Sequence, residues 1–136
     1  MKLFNLVMVL NKEKNKVLML FRSKNPYKGL YNLIGGKIEM GEDPLSSAYR
    51  ELFEETGILD SDIHLIPFMD YEWHMLDMKM LVFIGKLHKE VTLVEEVHTL
   101  HWFDLTEDFF DMKRFAGEGN IGHMMELYFQ NQDMVD

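Results

Sequence analysis

The segment Gly35–Ile58, GGKIEMGEDPLSSAYRELFEETGI, places six carboxylate side chains beside a pair of glycines. Asp43 before Pro44 is the pattern of a helix N-cap followed by a proline in the first turn, where the missing N–H costs no hydrogen bond. Gly57 is typical of a helix end, because glycine readily adopts the left-handed conformation that terminates helices. The segment therefore predicts a helix from about Leu45 to Glu55, preceded by a turn.

The predicted helix has two distinct faces. Since successive residues are about 100° apart on a helix, its apolar face comprises Leu45, Ala48, Tyr49, Leu52 and Thr56. Glu51, Glu54 and Glu55 converge on a separate arc, because residues three and four apart are neighbours. Clustered carboxylates repel one another unless a cation compensates them, and hard oxygen ligands favour Mg²⁺, Mn²⁺ or Ca²⁺ over zinc. A solvated acidic face with no ligand is the alternative interpretation.

The residues around this helix also have a distinctive spacing: Gly36, five residues, Glu42, seven residues, then RELFEETGI over Arg50–Ile58. This arrangement resembles the signature of the Nudix hydrolases, with each defining position filled. The resemblance implies an α/β (α+β) protein with the Nudix fold, an αβα sandwich with a mixed β-sheet in which the signature forms a loop–helix–loop. It also implies hydrolysis of a nucleoside diphosphate linked to another moiety. Many relatives have proline before the glycine pair, where this chain has Ile34.

The resemblance assigns roles to the signature residues. It implies a divalent-metal site, for Mg²⁺ or Mn²⁺, made of three carboxylates and one backbone carbonyl: Glu51, Glu54, Glu55 and Gly36. Glu42 and Arg50 resemble the family's residues that orient those carboxylates. The general base stays open between a signature glutamate and two glutamates outside the signature, Glu95 and Glu96, for which a solvated turn is the alternative.

The first third of the chain resembles the MutT-like branch of the family, which acts on oxidised-purine nucleotides such as 8-oxo-dGTP. In that branch an asparagine at the place of Asn32, four residues before Gly36, faces the purine base. An amide can pair with a purine edge through two hydrogen bonds, and a simple turn hydrogen bond is the alternative. Glu118 and Asn120, within Arg114–Gly122, are the candidates for discriminating an altered purine.

Other side chains are weaker candidates. Tyr27, Phe4 and Asn5 are candidates for the same pocket, although strand alternation leaves open which side each of the last two faces. Arg22 is a candidate phosphate contact, with a surface charge at a strand end as the alternative. The two tryptophans are expected in the core or a pocket wall, and the six histidines, which lack metal-ligand spacing, in structural or surface roles.

Hydrophobic patterning predicts a mixed sheet with helices packed on it, as one domain over residues 1–136. The predicted strands are Leu3–Leu10 and Lys16–Phe21 as a hairpin, Leu30–Ile34, His64–Trp73, Met78–His88 and Val97–Phe103. A short helical turn is expected at Leu105–Phe110 and an amphipathic helix at Ile121–Gln130.

Composition limits the partners and the compartment. The net charge is 14 − 23 = −9, which is a poor match for long nucleic acids because these bind clustered Lys and Arg, but a metal can join an acidic protein to a small nucleotide. The chain has no cysteine, which fits the reducing cytoplasm. No apolar run reaches the roughly 18 residues of a membrane span, and the N-terminal run is expected to be a strand and not a signal peptide. The oligomeric state is left open.

The leading functional hypothesis is Mg²⁺-dependent hydrolysis of a nucleoside triphosphate to a nucleoside monophosphate and pyrophosphate. The alternatives are another Nudix substrate, such as ADP-ribose, a nucleotide sugar or a dinucleoside polyphosphate, and a non-catalytic nucleotide-sensing module. All of the signature carboxylates are present, which argues against the sensing module.

Overall fold

The computed structural model describes residues 1–135. In chain order its elements are β1 (Lys2–Leu10), β2 (Lys16–Phe21), β3 (Tyr31–Asn32), β4 (Ile34–Lys37), α1 (Pro44–Thr56), β5 (Ile66–Trp73), β6 (Met78–Lys86), β7 (Leu100–Asp104) and α2 (Asn120–Gln130), with short 3₁₀ turns at His74–Leu76 and Gln132–Met134. Over the described residues the strands form one seven-stranded mixed sheet in the order β3-β2-β1-β6-β5, with β4 beside β1 and β7 beside β2.

Strand β1 is the centre of this sheet. It pairs in parallel with β6 along its whole length, antiparallel with β4 from Phe4 to Val7, and antiparallel with β2 where Leu10 faces Val17. Its residues from Asn5 onward are buried on both faces. This explains why β1 is almost continuously apolar, as is usual for a strand with a packed layer on each side.

One helix covers each face of the sheet. Ala48 and Leu52 of α1 pack with Val7 and Val9 on one side, whereas helix α2 packs on the opposite side with a core that includes Leu6, Met8, Met124, Met125 and Tyr128. The mixed sheet between two helices confirms the predicted α+β class and the αβα sandwich.

Helix α1 has the predicted ends. The Asp43 side chain accepts a hydrogen bond from the Ser46 backbone N–H (3.0 Å), Pro44 is the first helical residue, and Gly57 follows the last turn with φ 79°. The observed helix is one residue longer at each end than expected. Its buried face includes the predicted Ala48 and Leu52, so local pattern alone places this element correctly.

The predicted strand Leu30–Ile34 is wrong in extent. The structure has two short strands there, because Tyr31 and Asn32 pair with β2 whereas the following residues from Ile34 pair with β1. The Asn32 side-chain oxygen accepts the Leu33 backbone N–H (2.8 Å) at the crossing point. Gly35 and Gly36 consequently lie within β4 and not in a loop after it.

Two expectations in the second half of the chain are also wrong. Strand β7 starts at Leu100 and not at Val97, because residues 91–99 form a loop that is hydrogen-bonded to the end of α1 through the Val94 N–H and the Thr56 carbonyl (2.9 Å). The segment Leu105–Phe110 is not helical. Its turns are formed by aspartate side chains that accept backbone N–H groups two residues on, at Asp104 and Asp108, a geometry that competes with a helix.

Strands β5 and β6 are each two residues shorter than expected: β5 begins at Ile66 and not at His64, and β6 ends at Lys86 and not at His88. As for membranes, none of the helices within residues 1–135 has both the length and the apolar character that a bilayer crossing requires.

A buried asparagine connects the sheet to helix α1. Asn5 is 1% exposed; its amide N–H donates to Ser47 Oγ on α1 (2.8 Å), and its Oδ1 accepts the Gly36 backbone N–H of β4 (3.1 Å). This side chain therefore faces α1, and the expectation that it borders a nucleotide pocket is replaced by a role in fixing β4 against the helix.

We predict that Asn5→Ala lowers the free energy of unfolding by about 2 kcal/mol, because it leaves a buried N–H and a buried hydroxyl without their partner. Urea unfolding followed by fluorescence measures the change. Gln130→Ala, which removes an amide from an exposed position on α2, is the matched control and should shift stability by less than about 0.5 kcal/mol. Equal effects of the two substitutions would contradict this role of Asn5.

Candidate active site

Arg50 joins the turn before α1 to the helix. Its Nε and Nη2 donate to the two carboxylate oxygens of Glu42 at 2.7 and 3.0 Å, a two-bond geometry that fixes both planar groups. Glu42 also accepts the Glu39 backbone N–H (3.1 Å). The hydrogen bonds from Arg50, more than any other contact, lower the pKa of Glu42 to about 2, so this carboxylate is ionised and rigidly placed.

The Arg50 guanidinium also donates hydrogen bonds to two more carboxylates. Arg50 Nη1 donates to Glu51 Oε1 and to Glu54 Oε2, each at 3.2 Å. The structure thus brings four of the predicted residues, Glu42, Arg50, Glu51 and Glu54, into one network. Arg50 thus contacts each of the other three, the arrangement that the resemblance implies for an orienting residue.

Glu55 is the buried member of the cluster. It is 8% exposed, and its Oε2 has no hydrogen-bond partner among the described residues. Burial raises the pKa of Glu55 to about 8, and a hydrogen bond with the Glu51 carboxyl group and the charge of Glu51 add to the rise. Burial and the neighbouring Glu51 therefore favour the protonated form of Glu55.

Gly36 provides the space for this pair. A Cβ atom built on Gly36 would lie 2.6 Å from Glu51 Oε1 and 2.7 Å from its Cδ, so any other residue would displace the carboxylate. The glycine of the signature is therefore explained by the close approach of a strand backbone to a carboxylate.

The residues fit a divalent cation on three observations. Glu55 is a buried carboxyl group, its pKa is raised by burial and by the neighbouring Glu51, and the Gly36 backbone closes on Glu51. Among residues 1–135 no three His, Asp or Glu side chains already stand in a metal-coordinating arrangement, and Glu51 and Glu54 are turned toward Arg50.

A cavity of about 310 Å³ lies on the α2 side of the sheet. Four of the candidates from the sequence line it together: Tyr27, Asn32, Glu118 and Asn120. The rest of its wall is mainly apolar and includes Leu6, Trp73, Met78, Met80 and Met124. Phe4 is not among its lining residues, and Trp102 packs instead against the core beneath α1.

The polar groups of the cavity are linked in pairs. Tyr27 donates its hydroxyl to Glu118 Oε2 (2.8 Å); burial and then this bond raise the pKa of Tyr27 to about 12, so it remains a donor. Tyr71, which the sequence did not single out, interacts through its hydroxyl with Asn120, and burial raises its pKa. Tyr71 lies two residues before Trp73 on β5, so the two side chains are on the same face of the sheet. This strand periodicity is the sequence signal that could have identified Tyr71.

The remaining candidate residues do not lie together in one site. The Arg22 charge opposes the rise in the pKa of Glu55 and lowers the pKa of His98, which puts Arg22 near these two groups and not among the residues that line the cavity. Glu95 accepts the Leu100 backbone N–H (2.8 Å) and Glu96 is exposed.

His98 was missed by sequence reasoning. Its Nε2 lies 4.0 Å from Glu55 Oε2, and burial, ahead of the Arg22 charge, lowers the pKa of its imidazole. One histidine among six in an irregular loop gives no sequence signal for this contact.

The pKa of Glu55 makes stability depend on pH. Because the folded-state pKa is raised from 4.5 to about 8, the folded protein holds this proton more tightly than the unfolded chain does, and the free energy of unfolding falls as pH rises through that window. We predict that Glu55→Gln removes this slope and raises the melting temperature at pH 8. Glu54→Gln, at an exposed position of the same helix, is the control that should keep the wild-type slope; a wild-type slope in Glu55→Gln would contradict the assignment.

Comparison with known proteins agrees with this geometry. The family model of the NUDIX domain matches residues 2–121. The chain is 28% identical over 126 residues to the 8-oxo-dGTP diphosphatase of Escherichia coli, covering 92% of this chain and 81% of that protein. It is 30% identical over 110 residues to the oxidized purine nucleoside triphosphate hydrolase of Mus musculus, covering 78% and 68%.

Other relatives have other names and lengths. An ADP-ribose pyrophosphatase of Methanocaldococcus jannaschii is 28% identical over 67% of this chain, which spans 56% of that protein, and the chain spans 31% of the NAD-capped RNA hydrolase NudC of Haemophilus influenzae. The solved Ap4A hydrolase of C. elegans shares the fold, with a TM-score of 0.75 at 18% identity over 98% of this chain and 99% of that one. With the family model matching most of its length and the signature residues gathered around α1, the chain belongs to the Nudix family.

Proposed function

We propose that this chain hydrolyses a nucleoside triphosphate to a nucleoside monophosphate and pyrophosphate, with Mg²⁺ or Mn²⁺ as cofactor. The observation that carries the proposal is the Glu51–Glu55 pair, two neighbouring carboxyl groups of which Glu55 is buried. A purely structural helix face gains nothing from this arrangement, because burying a carboxyl group without full hydrogen bonding is unfavourable.

Each residue of the network has a role in this chemistry. Glu51, Glu54, Glu55 and the Gly36 carbonyl would hold the ion, which when bound neutralises the pyrophosphate and activates a water for in-line attack on phosphorus. Arg50, fixed by Glu42, holds the carboxylates in place and limits the positions to which they can turn.

A carboxylate of α1 is the better candidate for accepting the proton of the attacking water. Glu95 has its Oε1 engaged with a backbone N–H, and exposed Glu96 lacks a contact that would aim it at the site. Arg22, whose charge acts on Glu55, is the candidate for contacting a phosphate of the substrate.

The cavity on the other side of β4 suits a purine. Its apolar wall can pack against the rings. Glu118 already accepts the Tyr27 hydroxyl on one oxygen, which leaves the other to accept a base N–H. The Asn32 oxygen is engaged with Leu33, which leaves its NH₂ group to donate to a base oxygen or nitrogen. A base that offers both donors and an acceptor, as guanine and its oxidised form do, matches this pair.

The distance between the two parts suits a single nucleotide. Asn32 and Gly36 are four residues apart on consecutive strands, a span of at most about 13 Å at a strand rise of about 3.3 Å per residue. A base beside Asn32 can therefore have its phosphates near the carboxylates. The E. coli and mouse relatives named for oxidised purine triphosphates support this choice.

A nucleoside diphosphate carrying a second group, such as ADP-ribose, is the second candidate. A cavity of about 280 Å³ adjoins the first and shares with it Tyr71, Trp73, Asn120 and Met124. A substrate with an additional sugar or ring has room there, and the archaeal relative is named an ADP-ribose pyrophosphatase. For either substrate we propose a cytoplasmic enzyme of small nucleotides, since a net charge of −9 disfavours long nucleic acids.

We predict that, with Mg²⁺, a panel of nucleotides gives its highest kcat/KM with a purine triphosphate and yields nucleoside monophosphate plus pyrophosphate, as read by phosphorus NMR. A clear preference for ADP-ribose or a nucleotide sugar would overturn the triphosphate assignment and leave the metal site intact.

Glu54→Gln should lower kcat at least about a hundredfold, because it removes a metal-binding charge without changing the size of the side chain. Glu126→Gln, the same change at an exposed position of α2, should leave kcat unchanged. Activity retained in Glu54→Gln would eliminate this residue from the metal site.

Asn32→Ala should reduce the preference for purine over pyrimidine triphosphates by about tenfold, as expected when hydrogen bonding from its NH₂ group to the base is lost. The ratio of kcat/KM values for the two classes is the measurement, with Asn131→Ala at the end of α2 as the control. Equal losses on both classes would show that Asn32 supports the strand and does not read the base.

A further inference from the structure

The loop of residues 91–99 is anchored to the end of the signature helix. The Val94 backbone N–H donates to the Thr56 carbonyl (2.9 Å), and the Val94 side chain covers Gly57, where a Cβ would lie 2.7 Å from Val94 Cγ2. On the far side of the loop, Glu95 Oε1 accepts the Leu100 N–H (2.8 Å). These contacts hold the segment that includes His98 against the C-terminal half of α1.

The imidazole of His98 faces the buried carboxyl group. Its Nε2 lies 4.0 Å from Glu55 Oε2, and that oxygen is one of the buried side-chain atoms without a partner in the described part of the chain. The other ring nitrogen, Nδ1, is also buried and without a partner there. A proton on Nδ1 would be a buried, unpaired donor, so the neutral ring carries its proton on Nε2, the nitrogen directed at Glu55.

We propose that His98 is a positioning residue that orients the Glu55 carboxylate for the divalent ion by donating Nε2–H to Oε2, an inference that rests on the proposed metal site. Glu55 Oε2 lacks a partner within the described residues. If the other Glu55 oxygen were to hold an ion, Oε2 would need a hydrogen-bond donor to fix the carboxylate. His98 is the side chain that faces this second oxygen, and at 4.0 Å a small side-chain rotation closes the hydrogen bond.

Such a partner has a recognised effect on metal sites. A hydrogen bond to the non-ligating atom fixes the orientation of a ligand, and removing it commonly weakens metal affinity tenfold or more. The anchoring of the loop on both sides of His98 supplies the rigidity that this role requires.

The test measures Mn²⁺ affinity of the full chain by electron paramagnetic resonance, without substrate. His98→Ala should weaken Mn²⁺ binding about tenfold, whereas His98→Gln, whose amide Nε2 keeps an N–H donor at a similar reach, should remain within about threefold of wild type. His88→Ala, at an exposed position before the loop, should bind Mn²⁺ as wild type does. Urea midpoints of all variants, measured without metal, separate loss of affinity from loss of fold.

Two results would overturn the proposal: His98→Ala binding Mn²⁺ within about twofold of wild type, or His98→Gln binding as weakly as His98→Ala, which would show that the donor does not matter. Glu54→Gln is measured alongside. If Glu54→Gln weakens binding and His98→Ala does not, only the role of His98 is wrong. If Glu54→Gln also leaves binding unchanged, the metal site itself is wrong and this inference falls with it.

Discussion

The carboxyl groups of Glu51 and Glu55 are pressed together beneath strand β4, and the surrounding structure is arranged to keep them there. Helix spacing brings them to one side of α1, and Gly36 admits the Glu51 side chain because it has no Cβ. Asn5 fixes the strand to the helix from behind. Two carboxylates so close cannot both be ionised without compensation, so the fold itself creates a demand for a proton or a cation.

The Arg50 guanidinium compensates the negative charge of the other carboxylates in the cluster. It binds Glu42 with two hydrogen bonds and reaches Glu51 and Glu54 with the third nitrogen. The network leaves Glu55 outside the reach of Arg50, where burial dominates. Within this cluster the pKa of Glu42 is therefore lowered and that of Glu55 is raised, a division that commonly marks a site of chemistry.

The apolar cavity and the carboxylate cluster lie on opposite sides of the central sheet. The cavity with Tyr27, Asn32 and Glu118 opens on the α2 face, whereas the carboxylates lie on the α1 face. The short strands β3 and β4 connect them. This separation allows the cavity residues to vary without disturbing the carboxylates, which fits the different substrates named for the relatives.

The features that the sequence predicted correctly are local ones. The ends of α1 follow from Asp43, Pro44 and Gly57, and the gathering of Glu51, Glu54 and Arg50 follows from helical periodicity. Contacts between segments that are far apart along the chain leave no such pattern in the sequence. The division of Leu30–Ile34 depends on which strand each part pairs with.

The contact of His98 with Glu55 depends on how a long loop returns to the helix. The Asp104 and Asp108 turns were misjudged for a different reason, since there short-range side-chain hydrogen bonds outcompeted the helical pattern.

Proton release on metal binding is the most direct test of the Glu51–Glu55 pair as a metal site. Calorimetric titration of the protein with Mn²⁺ in buffers of different ionisation enthalpy counts the protons displaced. If Glu55 holds a proton with a pKa of about 8 that the ion replaces, binding at pH 7 releases about one proton, and the number falls toward zero above pH 9. Mn²⁺ binding that releases no proton at pH 7 would contradict the account.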